Sequence, residues 1–511
     1  MTSRRSFLTG LALLPAVARA TAAPDYDVLV IGSGLAGLRA AVAARDAGAR
    51  RVVIFEKGPL VGGHSLYSSG TLSAVAPWRS HTGDFTDSVA LFVKDAFTIG
   101  GGTGDIARLA AIARGSAAEL DWLESLGIFF GEPFTAASGL NPRCFTMPGN
   151  LAGRSYTMAA AGAVTAHSIP IHMNTRVTAL TPRAHDWLIT TVGTTDPSGT
   201  PDIISAESVV IATGGYTANV PLRCLADPRL TYDIRTTANP QGTVWDGADG
   251  DGLTLAKGAG ARITTGAGVQ TIPYWGGRLL DYAGADIYLT DEGERFIDET
   301  RPWNEITDAI LALPDRHCWV VTDAKSFKGG TLGLKLINHV VTKSASVEAM
   351  ARGMNIPEGA LAKTLKDYNQ AVLNGLDPKT GKTQFAQTID EPPFYWGRET
   401  IYVHTTLDGI DTDAKSRVLT DKSVPIPGLF ACGETVGGIF GRERMSGGAL
   451  MNCLVMGRIA GENAAKHALG GWYEAPSAYS GFVTQEFLLQ RIVFQRQPTE
   501  RLRWMPLFCV I

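Results

Sequence analysis

Signatures of metal clusters and haem are missing from this 511-residue chain. Its six cysteines, Cys144, Cys224, Cys318, Cys432, Cys453 and Cys509, show no CxxC or CxxCH spacing. That excludes iron–sulfur, zinc-ribbon and c-type haem sites, and no metal site is read from the sequence. An oxidising compartment would permit a disulfide, but spacing pairs none of these residues, and most are expected to be buried thiols. A basic excess is also missing: 46 Lys and Arg face 49 Asp and Glu, a net charge of −3, which leaves no footprint for nucleic acid. The apolar run Leu11–Val17 is too short to cross a bilayer, so no transmembrane span is expected. There is no internal repeat. A charged fraction of 19% with 45% hydrophobic residues excludes a disordered chain, and the length allows two or three domains.

Glycine, by contrast, is abundant at 58 residues, and its placement is informative. Tyr26–Ile31 (YDVLVI) reads as a buried parallel strand, followed by Gly32, Ser33, Gly34, Leu35, Ala36 and Gly37. An Ala-rich helix is expected over Leu38–Ala47 and a second strand over Arg51–Phe55, ending on Glu56. In this pattern the first glycine turns the chain and the second admits a pyrophosphate to backbone N–H groups. The third packs helix on strand, and the acid accepts from a ribose hydroxyl pair. The motif alone leaves FAD and NAD both open.

At the N-terminus, Ser3-Arg4-Arg5-Ser6-Phe7-Leu8, the apolar run and Ala18-Arg19-Ala20 read as a twin-arginine signal over residues 1–22, so a periplasmic location is expected. Helices are expected over Asp87–Ala96, Asp105–Leu126 and Glu358–Gly375, and strands over Asn174–Leu180 and Ser208–Thr213. The Gly-, Asp- and Asn-rich stretch Asn239–Gly252 marks a boundary. Residues 428–469 hold a strand, a Gly-rich loop and a long helix. Residues 471–511 form an aromatic, arginine-bearing extension.

Beyond the opening turn, several segments carry a family resemblance. They are Glu56-Lys57 with Gly62-Gly63, the stretch 101–127, Ile211–Gly215, Gly250–Gly252, Gly293–Glu299, Pro427–Glu434, Gly447–Ala449 and Gly457–Gly461. Over about residues 25–470 the chain resembles the flavoprotein subunits of fumarate reductase and succinate dehydrogenase. It is similar to soluble periplasmic flavocytochrome c-type fumarate reductases, without a haem domain, and to 3-ketosteroid dehydrogenases. The resemblance implies FAD and an α/β fold: a Rossmann-like three-layer FAD-binding domain at 25–238 and 396–470, with an inserted α+β cap at 239–395 closing over substrate. It assigns cofactor contacts to Gly32, Gly34, Leu35, Ala36, Gly37, Glu56, Lys57, Gly62, Gly63, Ser65, Ser69, Gly70 and Thr71. Val177, Ala212, Thr213, Gly214, Asp251, Gly433 and Glu434 join them, and Gly448, Ala449 and Leu450 place a helix N-terminus near the flavin pyrimidine. His64 stands at the spacing of the histidine that carries covalent FAD in succinate dehydrogenase-type subunits. Two roles stay open for it, covalent attachment or a hydrogen bond beside a non-covalent flavin.

By the same resemblance His404 and Arg444 bind a substrate carboxylate, a task suited to the planar fork of arginine. Two departures stand out. The family's Q-x-H-P-T histidine falls on Ile272, and its proton-delivering arginine falls on Trp303, with Arg301 two positions early as a substitute catalytic residue. Tyr274 and Trp303 then line the substrate pocket, which implies a small-molecule substrate bulkier than fumarate. The expected reaction moves hydride between flavin N5 and a carbon α or β to a carboxylate or carbonyl. A separate cytochrome or quinone-linked protein exchanges the electrons, with the C-terminal extension as one docking candidate. Two alternatives remain at this level: a cyclic-ketone dehydrogenase using Tyr274, Tyr282 or Tyr402 as acid or base, and a flavin electron-transfer protein without its own substrate.

Overall fold

An almost unbroken apolar strand is stable only when both of its faces are covered, and Tyr26–Ile31 is placed accordingly. In the computed structural model, which describes residues 23–79, 85–148, 152–196 and 198–470, it pairs in parallel with Val52–Phe55 on one side and Asp202–Ile211 on the other. Pro425–Ala431 adds in parallel to Asp202–Ile211, and Ile171–His172 to Val52–Phe55. The antiparallel hairpin Thr175–Pro182 and Trp187–Gly193 completes an eight-stranded mixed sheet with Arg417–Leu419 at one edge. This is the expected α/β Rossmann-like arrangement. The first helix starts at Leu35, three residues before the expected point, because Gly34 already serves as its N-cap.

Helix Leu35–Asp46 lies against the last helix, Gly448–Ala468. Their approach is set by small residues: a β-carbon on Gly461 would overlap the Ala40 carbonyl oxygen, and one on Gly457 would stand 2.7 Å from that of Ala36. The Ala-rich composition of the first helix therefore serves packing as well as propensity.

A second sheet is antiparallel, ordered Ile287–Leu289, Cys318–Thr322, Phe394–Glu399, Thr342–Ser344. Helices Val347–Met354 and Glu358–Asn374 cover it through Met350, Leu361 and Leu365. Residue 395, the expected end of the cap, falls inside the strand Phe394–Glu399, whose pairing carries this sheet on to residue 399. A separate two-stranded ribbon pairs Val269–Pro273 with Ile401–Thr406. Among the described residues no helix is long and apolar enough to cross a membrane, and five cysteines are free thiols. The twin-arginine segment, the 471–511 extension and Cys509 lie outside the described residues.

Candidate active site

The opening turn folds as its glycines require. Gly32 takes φ +102°, and a β-carbon there would overlap the Ala212 carbonyl oxygen. Gly34 caps helix Leu35–Asp46 with no side-chain hydrogen bond, and the first turn carries no acid, so its N–H groups are available to an anion. A cavity opens there. Its walls include Gly32, Gly34, Leu35, Ala36, Glu56, Lys57 and Gly63, with Val177, Ala212, Thr213, Gly214 and Asp251 opposite. Gly37, Gly62, Gly70, Gly433 and Gly448 are not wall residues; they shape the turns and the helix start behind it. Glu56 accepts from Ser33 N (2.9 Å), Ser33 Oγ (2.7 Å) and Gly58 N (2.7 Å), and Lys57 is held by Asp249 and Asp251.

His64, Ser65, Glu434 and Cys453 also line an adjoining cavity, which runs on to Ser69, Thr71, Ala449 and Leu450 and to Tyr274, Trp303, His404 and Arg444. The position of His404 follows from a β-bulge. Gln270 pairs with Thr405 but Thr271 with Val403, so His404 is the extra residue on its strand. Such a bulge re-aims a side chain. Segment 235–237 pairs beside Val403 and sets Thr237 Oγ1 2.9 Å from His404 Nδ1. Burial, with the charges of Arg444, Arg278 and His64, holds His404 well below the ordinary histidine range, so its ring is neutral.

Arg444 is buried and holds two partners: its Nη2 donates to Gln270 Oε1 (3.0 Å) and its Nη1 to Met445 O (3.2 Å). Its Nε is buried without a partner. Glu443 fixes this corner by accepting from Gln270 Nε2, from Arg444 N (3.0 Å) and from Asn304 N (2.9 Å) at the start of helix Trp303–Leu311. Burial pushes its carboxyl up to about 7 against those N–H groups and the Arg444 charge. At the other end, His64 Nε2 lies 2.6 Å from Asp246 Oδ1. Burial disfavours the charged ring, but Asp246 outweighs burial and raises the His64 pKa above 6.5.

Some expected residues stand elsewhere. Arg301 does not reach the cavity: its side chain is half exposed and ion-paired to Glu305 one helical turn on, at 2.6 Å. The loop shift it needed is precluded because Trp303 already begins the helix and is buried. The Tyr282 hydroxyl accepts from Phe327 N (3.1 Å) away from the cavity, and Tyr402 packs edge-on to Tyr274 behind its wall. Gln270, Glu443, Thr237, Asp246 and Arg278 are cavity or support residues that sequence reasoning missed. Only the Gly- and Asp-rich stretch around Asp246 carried a local signal.

Residues 27–450 match the FAD binding domain family. This chain belongs to that family. It is an FAD-dependent oxidoreductase of the kind that acts on CH–CH groups. It is 32% identical over 453 residues to the Probable fumarate reductase Ifc3 of Shewanella frigidimarina, covering 87% of this chain and 75% of that one. Urocanate reductase of Eggerthella lenta is 26% identical, with 86% and 75% covered. Among solved structures, the open conformation of a flavocytochrome c3 fumarate reductase superposes with a TM-score of 0.69 at 31% identity, covering 88% and 80%. The cavity fits FAD on its own evidence. Above Gly34 the nearest atom to an added β-carbon is 3.9 Å away, and above Gly214 there is none within 4 Å, so backbone faces open space where a pyrophosphate needs it.

Proposed function

We propose that the protein reduces the carbon–carbon double bond of a 2-enoate bulkier than fumarate, in the periplasm, with electrons from a separate cytochrome or quinone-linked protein. The reading rests on one observation above the rest: a buried guanidinium, Arg444, with an unpartnered Nε, in a cavity it shares with a neutral His404. A buried cation with spare donors is stabilised by a carboxylate that arrives with two acceptors. The glycine-lined walls and Glu434 would hold FAD, and Ala449 and Leu450 would stand at its flavin end. When bound and reduced by the electron partner, FAD would supply a hydride from N5 to one carbon, and a separate proton delivered to the adjacent carbon would complete the saturation. Arg444 and His404 fix the carboxylate and so set which carbon faces the cofactor. The apolar side chains of Ile272 and Trp303 exclude water and leave no second small-carboxylate clamp at those positions, which favours a planar, larger β-substituent. The urocanate reductase relative is named for an enoate with a ring substituent.

His64 is read as the charged partner of a non-covalent flavin, because its Nε2 is already committed to Asp246. Acid precipitation that leaves the yellow colour with the protein would contradict this. Of the tyrosines a cyclic-ketone reading would use, Tyr282 and Tyr402 stand outside the cavity, which leaves Tyr274 alone in its wall. The test of the main proposal is viologen-linked reduction of cinnamate by wild type and Arg444→Gln, both checked for FAD content. The variant should lose about 10³-fold in kcat/KM, the scale of a lost buried charge-assisted pair. Retention of wild-type activity would overturn the assignment.

A further inference from the structure

The cavity that holds Arg444 and His404 contains a second guanidinium. Arg278 lies in its wall, and its Cζ stands 4.6 Å from the centre of the Trp303 ring. Both ends of its backbone are fastened: its N–H donates to Glu399 Oε2 (3.0 Å), and its carbonyl accepts from the buried Lys335 Nζ (2.6 Å). The side chain is different. Among the described residues the guanidinium has the ring contact but no hydrogen bond and no ion pair within 4 Å, although its charge reaches the buried carboxyls of Asp286 and Glu399, and Asp281 lines the same stretch. A guanidinium lying over an aromatic ring gains a cation–π contact without using its N–H groups, which are then available to a planar acceptor. Past Arg278 the space continues into a cleft shared through Ser69, Tyr274 and Asp281 and floored by Gly329 and Gly330.

We propose that Arg278, stacked on Trp303, is a specificity-determining residue that binds a second carboxylate, at the end of the substrate remote from the one held by Arg444. The class of substrate is then an enoate whose planar β-substituent carries its own acidic group. This rests on the enoate reading above and sharpens it. Arg278 lowers the His404 pKa along with Arg444, which places the charge of Arg278 within electrostatic reach of that side chain.

The test is a titration of oxidised holoenzyme, followed by perturbation of the flavin absorption band, with cinnamate, 3-carboxycinnamate and 4-carboxycinnamate. In wild type at least one ring-carboxylated acid should bind roughly tenfold or more tightly than cinnamate, the scale of one charge-assisted pair. Arg278→Gln should erase that preference. Arg278→Lys, which keeps charge but loses the fork and the stacking face, should recover only part of it. A preference that persists in Arg278→Gln overturns the proposal, as does wild type that binds cinnamate at least as well as both analogues. Arg444→Gln separates the two readings, since it should weaken all three acids. If wild type binds none of them, the enoate reading itself fails and this proposal with it. Should Arg278→Gln fail to retain FAD, Trp303→Leu offers the second route, because loss of the stack should reduce the same preference.

Discussion

His64 and Asp246 are 182 residues apart in the chain, yet the Nε2 of one lies 2.6 Å from the Oδ1 of the other. His64 lines both cavities, so its charge state acts where they meet. Asp246 keeps the ring protonated above the ordinary histidine midpoint, and burial alone would do the opposite. The stabilisation from the pair is complete below 6.5 and is lost as pH rises through the raised folded value. In Asp246→Asn burial is opposed by the charge of Glu434 alone, so the midpoint should fall below that of wild type. A pH titration of the bound flavin spectrum checks this: the wild-type inflection should lie above that of the variant. Coincident inflections would contradict it.

Glu443 works at the opposite end. Its carboxyl titrates near 7 in the folded protein against 4.5 as the ordinary value, so ionisation is disfavoured by folding. Its contribution to stability is full below 4.5 and is lost as pH rises from there to about 7. Glu443→Gln lacks this loss. The melting temperature of wild type relative to the variant should therefore fall over that interval and then level off, as read by thermal scans of the holoprotein. Parallel curves would contradict the raised pKa.

Helix packing gives a third prediction. Gly461→Ala would drive a methyl into the Ala40 carbonyl, which is backbone and cannot swing aside. The overlap should cost about 1–3 kcal/mol, the usual range for overpacking. Thermal scans should show a Tm lower by about 1–3 °C, since a chain of this length spreads the cost over a large unfolding entropy. An unchanged Tm would mean that the two helices can separate freely.

These relationships explain what the sequence could and could not reveal. The strand-turn-helix from Tyr26 to Asp46 was legible because its conformation is local: the glycines act within one turn, and Glu56 ends the next strand, where it closes back on Ser33. His404 and Arg444 were singled out through resemblance, but the bulge that aims His404 depends on the register with Gln270 and Thr271, 134 and 133 residues earlier in the chain. Arg301 misled because closeness in sequence to Trp303 was read as closeness in space. It faces solvent, and the arginine that meets Trp303 is Arg278, from the loop that follows strand Val269–Pro273. The pairings of Asp246 with His64 and of Glu443 with Asn304 bring distant segments together, and nothing in the local pattern announces them.

The neutrality of His404 is testable through kinetics. Its pKa lies well below 6.5, so it carries no proton to lose between about pH 6 and 8. The pH profile of kcat/KM should keep its shape in His404→Gln while the rate falls. A wild-type limb near 6.5 that vanishes in the variant would show that the ring titrates during turnover.

Reoxidation of the reduced flavin tests the account at its centre. Holoenzyme reduced anaerobically with dithionite is mixed with cinnamate, with fumarate and with a cyclic enone, and the flavin absorbance is followed. The account predicts rapid return of the oxidised band with cinnamate and a slower return with fumarate. It is contradicted if neither acid reoxidises the flavin, or if the cyclic enone alone does so.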